Sequence, residues 1–122
     1  ELVERAQAAN VVHLCLLGSR FGDYNERVTR AIEKYPELFV GLYGVDLDAE
    51  GPEQVREAAA RGFRGLKVIL PKKRYDDPSY FPIYEAAEEH GFAALFHTGV
   101  VGGGADYRVQ DPFDPELIER VR

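Results

Sequence analysis

His97 is the residue in this sequence whose type and position best suit chemistry. It closes the apolar run Phe92-Ala-Ala-Leu-Phe-His97 and is followed at once by Thr98-Gly99. In a parallel α/β layout the C-terminal strand ends form the functional face, so a polar residue there meets a ligand. A neutral imidazole supplies a nitrogen ligand at that edge without taking charge into an apolar strand. On position alone two readings stand: a ligand or catalytic group, or a histidine hydrogen-bonded at the edge of the core.

Lys67 comes second. It lies inside Gly65-Leu-Lys-Val-Ile-Leu70, and a lysine within a buried strand is costly unless its ammonium reaches water or a partner. Alternation places Gly65, Lys67 and Ile69 on one face. If that strand lines a barrel, the ammonium reaches the mouth as a substrate contact. The plainer alternative is a stem lying along apolar surface with its head in water. Arg108 is the third candidate, also for substrate binding. It belongs to the glycine-rich loop Gly99–Pro112, which follows His97 directly, as substrate loops of barrels do. Arg108 and Asp106 would equally serve to solubilise such a loop. Its spacing lacks the Lys-Ser or Lys-Thr of a phosphate cradle.

The other reactive residues read as structural. His13 opens its strand, away from the functional face, as a packed or edge histidine. His90 sits in the last turn of a helix, where a partly charged imidazole suits the dipole. Cys15, the one cysteine, falls in an apolar run and reads as a small core residue. No Ser-His-Asp order, CxxC or HExxH occurs.

The elements that must position these residues recur regularly. Val11–Leu17, Phe39–Val45, Phe63–Leu70 and Phe92–His97 are short apolar runs rich in β-branched or aromatic residues, bounded by Gly, Pro or Asp, and they read as strands. Helical spacing fills the intervals. From Asp23 to Tyr35 it aligns Val28, Ala31, Ile32 and Tyr35. From Pro52 to Arg61, between a Pro start and the Gly62 stop, it aligns Val55, Ala58 and Ala59. From Ser79 to His90 it aligns Ile83, Ala86 and Ala87. Glu1–Ala9 and Phe113–Arg122 flank the set as helices. Strands apolar almost throughout imply a parallel sheet covered by helices. Two architectures fit four βα units: a small doubly wound sheet, complete as it stands, or part of a (β/α)₈ barrel, which takes about 250 residues.

Bulk properties narrow the partners. The 122 residues are 45% hydrophobic and carry a net charge of −6, with a pI near 5.1. Nucleic acid is thereby disfavoured, because phosphate binding needs clustered Lys and Arg. The one basic cluster, Lys72-Lys73-Arg74, adjoins Asp76-Asp77 and reads as a solvated loop. No run reaches the ~20 apolar residues of a membrane span. A single cysteine suits a reducing, cytoplasmic setting. The chain has no methionine and ends in Leu117-Ile-Glu-Arg-Val-Arg122 without a helix stop. The expectation is one fragment of a single domain over residues 1–122, truncated at both ends.

Gly62-Phe-Arg-Gly-Leu-Lys-Val-Ile-Leu-Pro71, Asp76-Asp-Pro-Ser-Tyr-Phe-Pro-Ile-Tyr-Glu-Ala-Ala-Glu-Glu-His-Gly91 and Ala94-Leu-Phe-His-Thr-Gly99 resemble the amidohydrolase-related family, a branch of the amidohydrolase superfamily. Asn25-Glu, Tyr35-Pro-Glu-Leu-Phe39 and Gly44-Val-Asp46 extend the resemblance upstream. It implies a (β/α)₈ barrel whose second to fifth strands are these four, in a curved parallel sheet. It also implies one divalent metal, expected to be zinc, with His97 as a ligand. The family's remaining ligands have no counterpart here: a His-x-His pair on the first strand, a histidine on the sixth and an aspartate on the eighth. The implied activity is that of a metal-dependent hydrolase acting on a small molecule, in which metal-activated water attacks a carbonyl. The 122 residues alone are expected to be inactive. Decarboxylases share the family, so carbon–carbon cleavage is the second enzymatic reading. A small doubly wound binding module without catalysis is the reading of another class. A homo-oligomeric assembly is left open.

Overall fold

The computed structural model describes residues 1–97, and Arg108 therefore lies outside the described residues. Four strands, β1 (Leu14–Leu17), β2 (Phe39–Val45), β3 (Gly65–Val68) and β4 (Ala93–Phe96), alternate with helices α1 (Leu2–Ala8), α2 (Tyr24–Lys34), α3 (Pro52–Ala60) and α4 (Phe81–Glu89). A 3₁₀ turn, Pro78–Tyr80, leads into α4. All three strand pairs are parallel and the order is β1-β2-β3-β4. This order never reverses, so the described residues have no switch point, and the doubly wound module is excluded. The curved four-stranded sheet with its helices is a partial (β/α)₈ barrel. No helix among the described residues is long and apolar enough to cross a membrane.

Register assigns each strand residue to a face. Tyr43 pairs with Leu66 and Val45 with Val68, while Leu66 pairs with Ala94 and Val68 with Phe96. These side chains form the core with Val28 of α2, Val55 and Ala58 of α3, and Ile83, Ala86 and Ala87 of α4. Each helix buries the stripe its spacing sets, because residues three and four apart share one side. The other sheet face carries Cys15, Leu17, Leu42, Gly44, Gly65, Lys67, Ala93 and Leu95 by alternation. Here Leu17 is 46% and Leu95 42% exposed, so among the described residues no helix covers this part of the face.

Several expectations require correction. The run from Val11 becomes strand only at Leu14; Val12 is 75% exposed and His13 is exposed, so His13 is not a packed histidine. β1 ends the sheet, and residues before Leu14 have no ladder partner on β2. Cys15 is exposed, since it faces the uncovered side of that edge strand. Tyr35 follows α2 and is 37% exposed, stacked edge-on against Phe39 rather than buried. His90 caps the C-terminus of α4 at the surface, as its position predicts.

Gly44 is a position among the described residues where the fold does not tolerate a side chain. A Cβ there would lie 2.3 Å from the backbone of Ser19, where the chain leaving β1 crosses the uncovered face. Backbone cannot swing aside as a side-chain tip would. Gly44→Ala should therefore lower the stability of the intact protein by roughly 1–3 kcal/mol. Gly51→Ser, at an open helix N-cap position, should be neutral or slightly stabilising. Paired urea denaturation curves check both, and an unchanged Gly44→Ala midpoint would refute the close approach.

Candidate functional site

The C-terminal ends of β1 to β4 are shaped by polar side chains that finish the sheet where the ladder stops. Beyond Leu17, Gly18 N–H still donates to Leu42 C=O. Asn25 of α2 then takes over from the departing strand. Its Nδ2 donates to Gly44 C=O at 3.0 Å and its Oδ1 accepts from Gly44 N–H at 2.8 Å. A primary amide offers a donor and an acceptor at the spacing of a peptide group, so it substitutes for one. β2 ends similarly: Glu50 accepts from Asp46 N–H at 2.7 Å and from the Tyr43 hydroxyl at 2.6 Å.

The loop after β1 is held over this end by charge. Arg20 Nη1 lies 3.0 Å from Asp46 Oδ1 and 3.7 Å from Asp48 Oδ2, and the Arg20 side chain is only 15% exposed. Asp48 also accepts from the Tyr80 hydroxyl and from Lys72 N–H, so it ties the ends of β2 and β3 to the turn before α4. Ser19, Arg20, Asn25, Asp46 and Glu50 border a cleft of about 360 Å³. Neither Lys67 nor His97 lines it, and Arg20, Asp46 and Glu50 are already committed to each other and to backbone. The cleft is structural rather than reactive.

The two sequence candidates within the described residues lie on the uncovered face. Lys67 is flanked in register by Gly44 and Leu95. Its ammonium has no hydrogen bond or ion pair among the described residues, and burial pushes its pKa below the ordinary lysine value. His97 stands one step past the ladder, its N–H donating to Val68 C=O at 2.9 Å. Alternation gives it the same face as Lys67 and Leu95. His97 Nε2 is buried and has no hydrogen-bond partner among the described residues. Such atoms are rare because each one costs desolvation without return. In the tautomer protonated at Nδ1, Nε2 carries a lone pair withheld from water, the donor a borderline metal takes. The imidazole thus fits one coordination position. No cluster of three or more His, Cys, Asp or Glu that would hold a metal occurs among the described residues.

Sequence reasoning did not find Asn25, Asp48 or Tyr75. Tyr75 is 3% exposed and its hydroxyl donates to the His97 carbonyl at 2.5 Å. Asn25 and Tyr75 act across 19 and 22 residues, and no local pattern reports such contacts.

A family model described as Amidohydrolase matches residues 2–121, and the chain belongs to that family. None of the curated proteins matches the sequence. Among solved structures it is similar to 5-carboxyvanillate decarboxylase from Sphingomonas paucimobilis, with 19% identity and a TM-score of 0.66 over 79% of this chain and 34% of that one. It is equally similar to a probable 2-pyrone-4,6-dicarboxylic acid hydrolase from Acinetobacter baumannii, crystallised with citric acid: 19% identity and a TM-score of 0.65, over 80% of this chain and 38% of that one. The chain therefore spans little more than a third of these structures.

The tyrosines behind the site make alkaline pH a test of the packing. Burial pushes Tyr75 and Tyr80 up to about 12, and it raises Tyr43 and Tyr84 as well. Below pH 10 the phenols are protonated in both folded and unfolded chains, and stability is intact. As pH rises from 10 to 12 the unfolded chain loses protons that the folded one keeps, so stability falls. Urea denaturation at pH 11 should show a loss of about 2 kcal/mol or more relative to pH 8. An unchanged midpoint would mean that these hydroxyls are solvated.

Proposed function

We propose that this chain supplies the second to fifth βα units of a divalent-metal-dependent hydrolase, with His97 as one zinc ligand and Lys67 as a contact for an anionic group on a small-molecule substrate. The observation that carries the reading is the buried, unpartnered Nε2 of His97 on the open sheet face. Family membership supports it. A divalent metal in such a site supplies Lewis acidity and an activated water. The chain's own residues do the rest. β3 and the loop after it hold the His97 peptide, so the imidazole projects from a fixed point. Lys67 presents a positive charge on the same face, in register beside Gly44, whose missing side chain makes way for the Ser19 backbone. Arg108, beyond the described residues, is a further candidate for the same substrate.

Lys67 argues for a carboxylate. A partly buried ammonium with no acidic neighbour among the described residues favours an incoming anion over a neutral ligand. Both similar structures have names that denote carboxylated ring compounds, and one holds citric acid. That correspondence also favours a second reading, decarboxylation, because one of the two is a decarboxylase. The reactions separate by product: release of carbon dioxide against ring or acyl cleavage with uptake of water.

In the full-length protein, His97→Ala should lower metal content to near zero and activity by at least 10²-fold, while the melting temperature stays within a few degrees, as befits a residue outside the packed core. Lys67→Met should raise KM for a carboxylate substrate about 10-fold or more and leave metal content unchanged. Stoichiometric metal and full turnover in His97→Ala would end the ligand assignment. Among the described residues Leu17 and Leu95 are exposed on one sheet face and β1 and β4 are the outer strands, so residues 1–122 prepared alone should self-associate and bind zinc weakly. A monomer with a cooperative melt would overturn the proposal that these residues are part of a larger barrel.

A further inference from the structure

The peptide of His97 is fixed from both sides. Its N–H donates to Val68 C=O of β3, and its C=O accepts from the Tyr75 hydroxyl. Tyr75 is itself held: the Tyr84 hydroxyl donates to its carbonyl at 2.8 Å, and its ring packs on Phe96 at a centroid distance of 4.9 Å. Tyr84 closes the set edge-on against the same Phe96 at 5.8 Å. Two tyrosine rings thus clamp Phe96, the residue before His97, and a hydroxyl grips the His97 carbonyl.

The chain makes an unusual turn to place that hydroxyl. β3 ends at Val68, and Leu70 has a φ of +53°, a left-handed conformation that non-glycine residues seldom adopt. It directly precedes Pro71, a context that favours extended backbone instead. Strain of this kind persists where the surrounding structure determines it. Here it turns the strand out of the sheet, and the following loop, anchored by Asp48 through Lys72 N–H and by the Tyr80 hydroxyl through Lys73 N–H, comes back to lay Tyr75 across the end of β4.

We infer that Tyr75 is a positioning residue for His97. Its hydroxyl fixes the carbonyl so that only the side-chain torsions of His97 remain free, and the imidazole meets a metal already aimed. The inference rests on the reading of His97 as a ligand. Outer groups that orient a ligand usually contribute roughly 10–100-fold to metal affinity.

The test is zinc affinity of the full-length apoprotein, measured by chelator competition, together with the visible spectrum of the cobalt-loaded protein. Tyr75→Phe keeps the ring and removes the donor. It should weaken zinc about 10-fold and alter the cobalt spectrum. Tyr43→Phe, which removes a buried hydroxyl bonded to Glu50 away from His97, should reduce the melting temperature comparably and leave zinc affinity and the cobalt spectrum unchanged. Equal zinc affinities and equal spectra for the two variants would overturn the inference and make Tyr75 an ordinary core tyrosine. If Tyr75→Phe does not fold, Tyr84→Phe loosens the same loop one hydrogen bond further back. It should weaken zinc by about threefold, below the usual range for a direct partner, and no change would again overturn the claim. His97→Ala separates the two levels. Undiminished zinc in that variant refutes the ligand reading itself, whereas lost zinc there with normal zinc in Tyr75→Phe refutes only the positioning role.

Discussion

Everything at this site depends on the parallel register that sets Gly44 beside Lys67 and Lys67 beside Leu95. Side chains alternate across a strand with a period of two, so one register decides the facing of whole strands. A slip by one residue would bury Lys67 among Val55, Ile83 and Phe63 and expel Leu66 and Val68, which are at most 1% exposed. The core excludes that arrangement, since a charged amine without a partner is far more costly than any lost contact. Burial on the helical side therefore fixes the polarity of the open side. Lys67 and His97 share a face because Leu66, Val68 and Phe96 occupy the other.

A parallel sheet leaves a problem at its C-terminal end, where strands of different length stop and peptide groups lose their ladder partners. Here side chains fill in: Asn25 replaces a missing strand beside Gly44, Glu50 takes the amide of Asp46, and Tyr75 takes the carbonyl of His97. The N-terminal end relies more on backbone: Leu14 N–H goes to Leu38 C=O, Arg64 N–H to Gly41 C=O and Ala93 N–H to Arg64 C=O. The end that carries His97 is thus the one built from side-chain contacts. Their shape depends on side-chain identity, which is how one barrel scaffold comes to serve many sites.

The elements were legible because their signals are local. Val55 and Ala58, or Ile83, Ala86 and Ala87, state their own helical face, and Phe39–Val45 states its own strand. Lys67 was legible as an anomaly, a charge inside an apolar run. What failed was context. Val11 and Val12 look like strand, but β2 offers them no partner; Cys15 looks like core, but its strand lies at an edge with one face uncovered. The polar pegs were invisible for a related reason. Nothing adjacent to Asn25 or Tyr75 indicates that each will meet a backbone group about twenty residues away, because the fold itself creates that need. Arg108 and its loop fall outside the described residues, and their role rests on sequence alone.

The orphaned nitrogen of His97 is best understood against this background of satisfaction. Around it even marginal groups find partners: the hydroxyls of Tyr43, Tyr80 and Tyr84 bond to Glu50, Asp48 and the Tyr75 carbonyl. Two buried side-chain nitrogens stay unmet among the described residues, Arg20 Nε and His97 Nε2, and of the two only the imidazole nitrogen can offer a lone pair to a metal. The peptide of that same histidine is bonded at both N–H and C=O, so its backbone is the more constrained part and its side chain the less. A structural histidine shows the opposite pattern, with ring nitrogens tied down because they define its place. A fixed backbone and a ring nitrogen without a partner among the described residues suit the ligand role proposed for His97, in which the ring is aimed before a metal arrives and its lone pair is not spent beforehand.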